Sequence, residues 1–289
     1  MHDHKIEIDH GTFCSSSLDE LRKAFAEAGL TTHYGGPHAN GATHMALLGF
    51  KDGSYLELIA PMKPETSGSG LMAGWAKHMH CDAGACAWAI RTSKIQNEVD
   101  RLRAEGITVT SPEQGGRKKI DGAVLSWQTA AAGPGSAGAL LPFMIQDETS
   151  RDLRVRPSEG VLDAGLTGIG IVILSVANLN ASIQLFRKAY GWPEPEIEEH
   201  QEPGARLAYF PNTSVVLATP LDSRSLLASR LERVGDCPLA FLLATRDIEV
   251  ASRRFRLVRA DTWFHRKVAW FDEKKLRGAR LGVIQLDSV

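Results

Sequence analysis

Residues 5–13 (KIEIDHGTF) set Ile6 and Ile8 against Glu7 and Asp9, the period-two pattern of a half-buried strand. Ser17-Leu-Asp-Glu20 then has the spacing of a capping box, and Leu18, Leu21, Phe25 and Ala28 recur at helical intervals. Gly29 stands where a helix usually ends in a left-handed residue. A loop punctuated by Gly35, Gly36, Pro37 and Gly41 leads to a strand over 44–50 and a turn at Lys51-Asp-Gly53. A strand over 55–60 follows, stopped by Pro61. The order reads β-α-β-β-β.

The same order recurs three times. The second copy has an apolar strand over 85–91, a capping box at Ser93-Lys-Ile-Gln96 and a helix through Ile95, Val99 and Leu102 to Gly106. Its remaining strands fall near 107–110, 124–128 and 140–146. The third opens with GIGIVILSV at 168–176 and a helix from about 180 to 190, stopped by Gly191 and Pro193, with strands over 205–210 and 214–218. The fourth has a strand over 239–245, a helix near 248–257 and strands near 267–271 and 281–285. A repeat of this length governs the fold class, here α+β with four βαβββ units. The charged stretch 148–165, with Pro157 and Gly160, separates two halves. This gives a first domain at 1–150, a linker at 151–165 and a second domain at 166–289. Residues 130–138 (AAAGPGSAG) read as a flexible loop without a core face.

Composition narrows the function. The 33 Lys+Arg nearly balance 34 Asp+Glu, for a net charge of −1, which gives no basic footprint for nucleic acid. The start MHDHKIEIDHG lacks the apolar core of a signal peptide, and no run approaches 18 apolar residues, so a cytoplasmic, membrane-free protein is expected. Four cysteines without a CxxC suggest neither a disulfide framework nor a cysteine zinc site. The histidines are lopsided. Eight of ten lie in the first 80 residues, and imidazole serves both metal ligation and proton transfer, so chemistry is expected in the N-terminal half.

Taken together, these pieces resemble a known family. Four βαβββ units, with IDHGTF and SSLDEL opening the first, GGPHANGATHMALLGFKDGSYLELIAP following and LLPFMIQD later, are similar to the vicinal-oxygen-chelate superfamily. That superfamily includes glyoxalase I, bleomycin resistance proteins and extradiol dioxygenases; the glyoxalase-like domain proteins are nearer still. The likeness is carried by residues 8–147, and residues 166–289 share only the general unit pattern. It implies two half-barrel domains, each pairing two units around a concave sheet. It also implies a divalent metal held by the first and fourth strands of each unit, and a small-molecule substrate. Carried over, the metal ligands are His10 and Glu57.

The residues support that assignment in their own right. His10 shares a strand face with Ile8 and Thr12, and Glu57 shares one with Tyr55 and Ile59. A carboxylate buried unpaired inside LELI costs on the order of several kcal/mol, so a cation or metal is expected opposite it. Imidazole with carboxylate suits Fe, Mn, Zn or Ni better than Ca. The other ligand positions depart from the pattern. By the spacing of the capping boxes His10 maps onto Cys86, or onto Ala87 or Trp88 with an insertion, and Glu57 maps near Phe143. In the third unit the counterparts are Ile171 and Val216. Cys86 and Gln146 would serve only as unusual ligands, and the second half is expected to be a scaffold or a pocket wall.

His44 is the remaining candidate, completing a two-histidine, one-carboxylate set with His10 and Glu57 or forming a metal-free acid–base pair. The catalytic candidates are therefore Glu57 and His44. Trp88, Phe143 and Gln146 are the expected substrate contacts, with Trp127 a further aromatic on these strands. Cys14 and Cys86 are expected as buried apolar fillers, and Arg117, Lys118 and Lys119 as an exposed charged turn. The His78–Cys81 run (HMHC) looks metal-like but sits in a Gly-flanked loop. No phosphate-cradling motif is present, so no nucleotide cofactor is expected. Two functions stay open. One is metal- or His/Glu-assisted lyase, isomerase or dioxygenase chemistry on a small oxygenated molecule; the other is a metal-free, resistance-type sequestering protein. A homodimer is compatible with either.

Overall fold

The computed structural model describes residues 5–38, 41–63, 71–79, 82–119, 122–201 and 204–286, with backbone only for 71–73. The first half runs β1 (Glu7–Ser15), α1 (Leu18–Glu27), β2 (His33–Pro37), β3 (Thr43–Gly49), β4 (Tyr55–Pro61), α2 (Leu71–Ala76), β5 (Ala83–Arg91), α3 (Ile95–Ala104), β6 (Glu113–Lys118), β7 (Val124–Ala130) and β8 (Phe143–Asp147). Two short helices, α4 (Arg151–Arg154) and α5 (Glu159–Leu162), connect it to the second half. There follow β9 (Leu166–Ser175), α6 (Leu179–Tyr190), β10 (Glu196–His200), β11 (Ala205–Tyr209), β12 (Val215–Pro220), α7 (Leu226–Val234), β13 (Cys237–Thr245), α8 (Ile248–Phe255), β14 (Arg259–Trp263), β15 (Arg266–Trp270) and β16 (Leu281–Gln285).

Each half is one eight-stranded sheet, in the orders β2-β3-β4-β1-β5-β8-β7-β6 and β10-β11-β12-β9-β13-β16-β15-β14. The two units of a half meet at an antiparallel pair of first strands, β1 with β5 and β9 with β13. Each first strand also pairs in parallel with the last strand of its own unit. Both sheets curl into nearly closed half-barrels, the α+β architecture expected. Four edge strands, β2, β6, β10 and β14, escape the apolar pattern. Their sequences HYGGP, EQGGRK, EIEEH and RADTW face solvent along much of their length and are held by backbone pairing. For the same reason the strand expected near 107–110 moves to β6, and Val109 keeps only an isolated bridge to Ala132.

The sheets pack back to back. Phe13 of β1 meets Phe241 of β13 edge-on at 5.1 Å between centroids. At Gly11 an added Cβ would run into the Phe241 ring, so that crossing requires a residue without a side chain. Helices α1, α3, α6 and α8 fill the flanks of this one continuous core, which includes Ala130 and Ala132 from the stretch expected to lack a core face. The concave faces point outward, and α4 lies across the first of them. Val155, just after α4, packs on Met45, Leu47 and Tyr55, so residues 151–155 are a wall of the first half-barrel as well as part of the connection, whereas Val161 of α5 enters the core between the sheets.

Candidate functional site

The parallel register of β1 on β4 sets His10 beside Tyr55, Thr12 beside Glu57 and Cys14 beside Ile59. Residues opposite one another share a sheet face, so His10 and Glu57 both face the concavity. His10 Nε2 is 4.0 Å from Glu57 Oε2, and the Thr12 hydroxyl donates to the same oxygen at 3.3 Å. The other carboxylate oxygen, Oε1, faces His38 Nε2 at 3.6 Å. His38 Nδ1 in turn lies 2.7 Å from Thr43 Oγ1. The His10 ring stacks on Tyr55 at 4.7 Å and takes the edge of Phe143 at 5.3 Å. The imidazole is thus held in one plane, with one nitrogen toward Glu57.

Asp9 holds the other nitrogen. Strict alternation would turn Asp9 to the opposite face. However, β1 and β5 pair Ile8 with Ile90 and His10 with Ala89, which leaves Asp9 as an extra residue. A bulge of this kind re-aims a side chain, and Asp9 Oδ1 comes to 2.7 Å from His10 Nδ1. Asp9 is fully buried and also accepts from both terminal nitrogens of Arg154, at 3.0 and 2.7 Å. Arg154 further donates to Tyr55 Oη at 2.8 Å and to Asp147 at 2.6 Å, and Arg151 reaches Asp9 and Asp147 at 2.6 and 3.1 Å.

Burial by itself raises a carboxylic acid. At Asp9 the hydrogen bond from His10 and the charge and hydrogen bonds of Arg154 overcome it and hold the carboxyl well below the usual range. At Glu57 burial again opposes ionisation. The hydrogen bond from His38, with the charges of His10, His38 and Arg117, brings it down to about 2. Glu57 is therefore a carboxylate throughout the neutral range.

The other expected site residues divide by strand face. Phe143 joins the site, and Trp127 lies on the same face against Gly115. Three expected members do not join. Trp88 lies across from Gly11 on the back of the sheet, fully buried in the core, with its indole donating to Leu140 O at 3.2 Å. His44 pairs with Ala60, one residue out of phase with Glu57, and its ring meets Tyr34 on the helix side. Gln146 faces the helices too, where its Oε1 accepts from Ile95 N at 2.8 Å and caps α3. Ser93, expected to cap that helix, does not: the capping position is Lys94, whose side chain makes no cap.

Arg117 departs from the exposed turn expected of it. It is 5% exposed and crosses the mouth of the half-barrel from β6 to β2, donating to Gly35 O at 2.5 Å and to Arg154 O at 3.0 Å. Cys14 and Cys86 are buried as expected, and burial pushes the Cys86 thiol well above its ordinary value. Of the His78–Cys81 run, His80 and Cys81 lie outside the described residues, and burial beside Arg230 holds His78 down at about 4.

The donor set does not fit a resident metal. The two imidazoles address different oxygens of Glu57 rather than a common point. Among the described residues no group of three or more His, Cys, Asp or Glu is arranged to hold an ion. The second unit offers Ala87, Ala89, Phe143 and Ile145 to the concavity, and its Asp147 carboxylate there is taken by Arg154 and Arg151.

Paired βαβββ units curled around an outward concavity define a vicinal-oxygen-chelate fold. The sequence agrees: a family profile described as Glyoxalase-like domain matches residues 8–190, more than half of the chain, and the chain belongs to that family. A hypothetical protein from Staphylococcus aureus shares the whole arrangement, at 16% identity and a TM-score of 0.61, over 97% of this chain and 100% of that one. Methylmalonyl-CoA epimerase from Mycobacterium tuberculosis overlies 43% of this chain and 91% of its own, at 22% identity and a TM-score of 0.38. The Streptomyces coelicolor epimerase does so over 43% and 99%, at 16% and 0.38. None of the curated proteins compared matches the chain.

Proposed function

We propose that the first half-barrel is the active site of a metal-independent proton-transfer enzyme, of isomerase or lyase type, acting on a small oxygenated molecule. The observation that carries this reading is the line Asp9–His10–Glu57, in which a buried imidazole is fixed at Nδ1 by one carboxylate and presents Nε2 toward another. An imidazole oriented in this way is the arrangement general acid–base catalysis uses. His10 Nε2 takes the proton from a carbon next to a carbonyl; the C–H electron pair forms the C=C bond of the enolate and the carbonyl π pair moves to the oxygen. The imidazolium then returns the proton from the same side, to the former carbonyl carbon as the hydroxyl proton passes between the two oxygens of the enediolate, or to a leaving group expelled from the next carbon.

Glu57 does not carry that proton, because an acid held at about 2 is a weak base at neutral pH. Its part is to stabilise the imidazolium as it forms, with Thr12 fixing the carboxylate. His38 is the most open member, 25% exposed against 12% for Glu57 and 6% for His10. It therefore faces the side from which a substrate arrives and meets the substrate's oxygen. Hydrogen exchange into heavy water tests the reading. A panel of small 2-oxo acids and hydroxy ketones is incubated with chelator-treated protein and followed by proton NMR. The expected result is exchange at the carbon next to the carbonyl of at least one compound, lost by two orders of magnitude or more in His10→Asn, on the usual scale of acid–base contributions. Exchange that stops on chelation and returns with added metal would overturn it.

A further inference from the structure

The second half-barrel, expected to be inert because Ile171 and Val216 stand where ligands would be, contains a cavity of about 490 Å³ on its concave side. That volume is in the range of small-molecule sites. Leu207, Leu227 and Leu239 line it, with Trp263 and Trp270 forming one wall at 5.5 Å between ring centroids. Ala218 and Ala240 line the same space, and their small side chains leave it open. Leu226, at the start of α7, is two-thirds exposed at the lining, an apolar residue presented to solvent where a ligand would enter.

The polar groups here are unequally matched. Arg280 is neutralised by Glu273, with Nε at 3.0 Å from Oε2. Trp263 Nε1 donates to Asp261 at 2.8 Å. Trp270 Nε1 is buried and, among the described residues, meets no acceptor. An indole N–H can only donate, and a donor buried unmatched is costly, so a ligand that brings an acceptor is favoured there. Arg259 lies over Trp270 at 5.2 Å and is exposed, and Asp272 accepts from Lys274 N at 3.0 Å, so the charged residues of the lining, Arg259 and Arg280 against Asp272 and Glu273, balance.

From the cavity, its indole wall and the unmatched donor, we infer that the second half-barrel binds a neutral, flat, apolar molecule carrying a carbonyl-type acceptor, which Trp270 Nε1–H receives. This site shares no residue with His10, Thr12, His38 or Glu57, and it stands or falls independently of the proposed reaction.

The neutral naphthyl ketone 6-propionyl-2-(dimethylamino)naphthalene is a suitable probe, since its emission shifts to the blue in an apolar site and it accepts energy from tryptophan. The expected result is saturable one-to-one binding with tryptophan quenching. Trp270→Phe keeps the ring and removes the donor, and should weaken binding about five- to tenfold, the usual worth of one hydrogen bond. Ala240→Phe fills the cavity and should abolish binding, while Glu57→Gln should bind as the native protein does. Thermal melting checks that each variant folds; if Ala240→Phe does not, Leu239→Trp replaces it. Absence of saturable binding overturns the inference. So does native affinity in both Trp270→Phe and the filled variant, and so does loss of binding in Glu57→Gln, which would place the probe in the first half.

Discussion

At Glu57 the depressed pKa makes a claim that stability measurements can check. Its folded value of about 2 lies below its ordinary 4.5. The ionised group therefore stabilises the fold fully above about pH 4.5, and that contribution is lost as the pH falls toward 2. Glu57→Gln should flatten the acid side of the stability–pH curve within that window, while Asp9, also depressed, keeps part of the slope in both proteins. Denaturant titrations from pH 2 to 7 would show it; parallel curves for the two proteins would contradict the ion pairing. Arg154 makes the opposite kind of claim. It is 5% exposed and serves Asp9, Tyr55 and Asp147 together. Arg154→Met leaves buried carboxylates without their cation and should cost about 3–5 kcal/mol in denaturant unfolding. A loss under 1 kcal/mol would mean that Arg151 alone neutralises the group.

At the scale of elements, Gln146 and Gln285 have the same task in the two halves: each accepts from the first backbone N–H of the helix beside it, Ile95 N at 2.8 Å and Ile248 N at 3.4 Å. Gln146→Ala should cost about 0.5–2 kcal/mol, the range of a helix cap, while the probe-binding and exchange behaviour stays unchanged. A change in exchange with no change in melting would return Gln146 to the site. The central strands and long helices were legible in the sequence because each has one buried face with a clear period, and the alternation in IDHGTF and YLELIAP sufficed to bring His10 and Glu57 to one side. Three things were hidden. Edge strands such as EIEEH bury no regular face, so period-two reasoning has nothing to detect. The bulge at Asp9 breaks the alternation that made β1 readable, and so concealed the residue that orients His10. His38 follows a Gly-rich strand and reaches Glu57 only through pairing of β2 with β3, which local pattern does not specify. The opposite failure also occurred: Trp88 and His44 have suitable chemistry, but lie one residue out of phase.

One buried cluster runs through both halves of the molecule, while the second half keeps a further cluster on its concave side. The sheets meet through Phe13 and Phe241, and Arg230 of α7 donates to Ala85 O of β5 and to Pro238 O of β13 at 2.8 Å each. Unfolding should therefore be a single calorimetric transition. Gly11→Ala, which pushes a Cβ into Phe241, should lower the stability of the whole by about 1–3 kcal/mol, as overpacking does. Two resolved transitions, with only the first shifted by Gly11→Ala, would show that the halves are independent. The back-to-back packing also separates the two concavities, so one chain presents a buried polar cluster on one side and a largely apolar cavity on the other.

Nitrogen-15 NMR of the His10 imidazole in metal-free protein tests the proposed chemistry most directly. The prediction is a proton on Nδ1, protected from exchange by Asp9, with an Nε2 resonance that moves when Glu57 is replaced by Gln. An unprotonated Nδ1, or an Nε2 signal indifferent to Glu57→Gln, would contradict the Asp9–His10–Glu57 relay and with it the proposed chemistry.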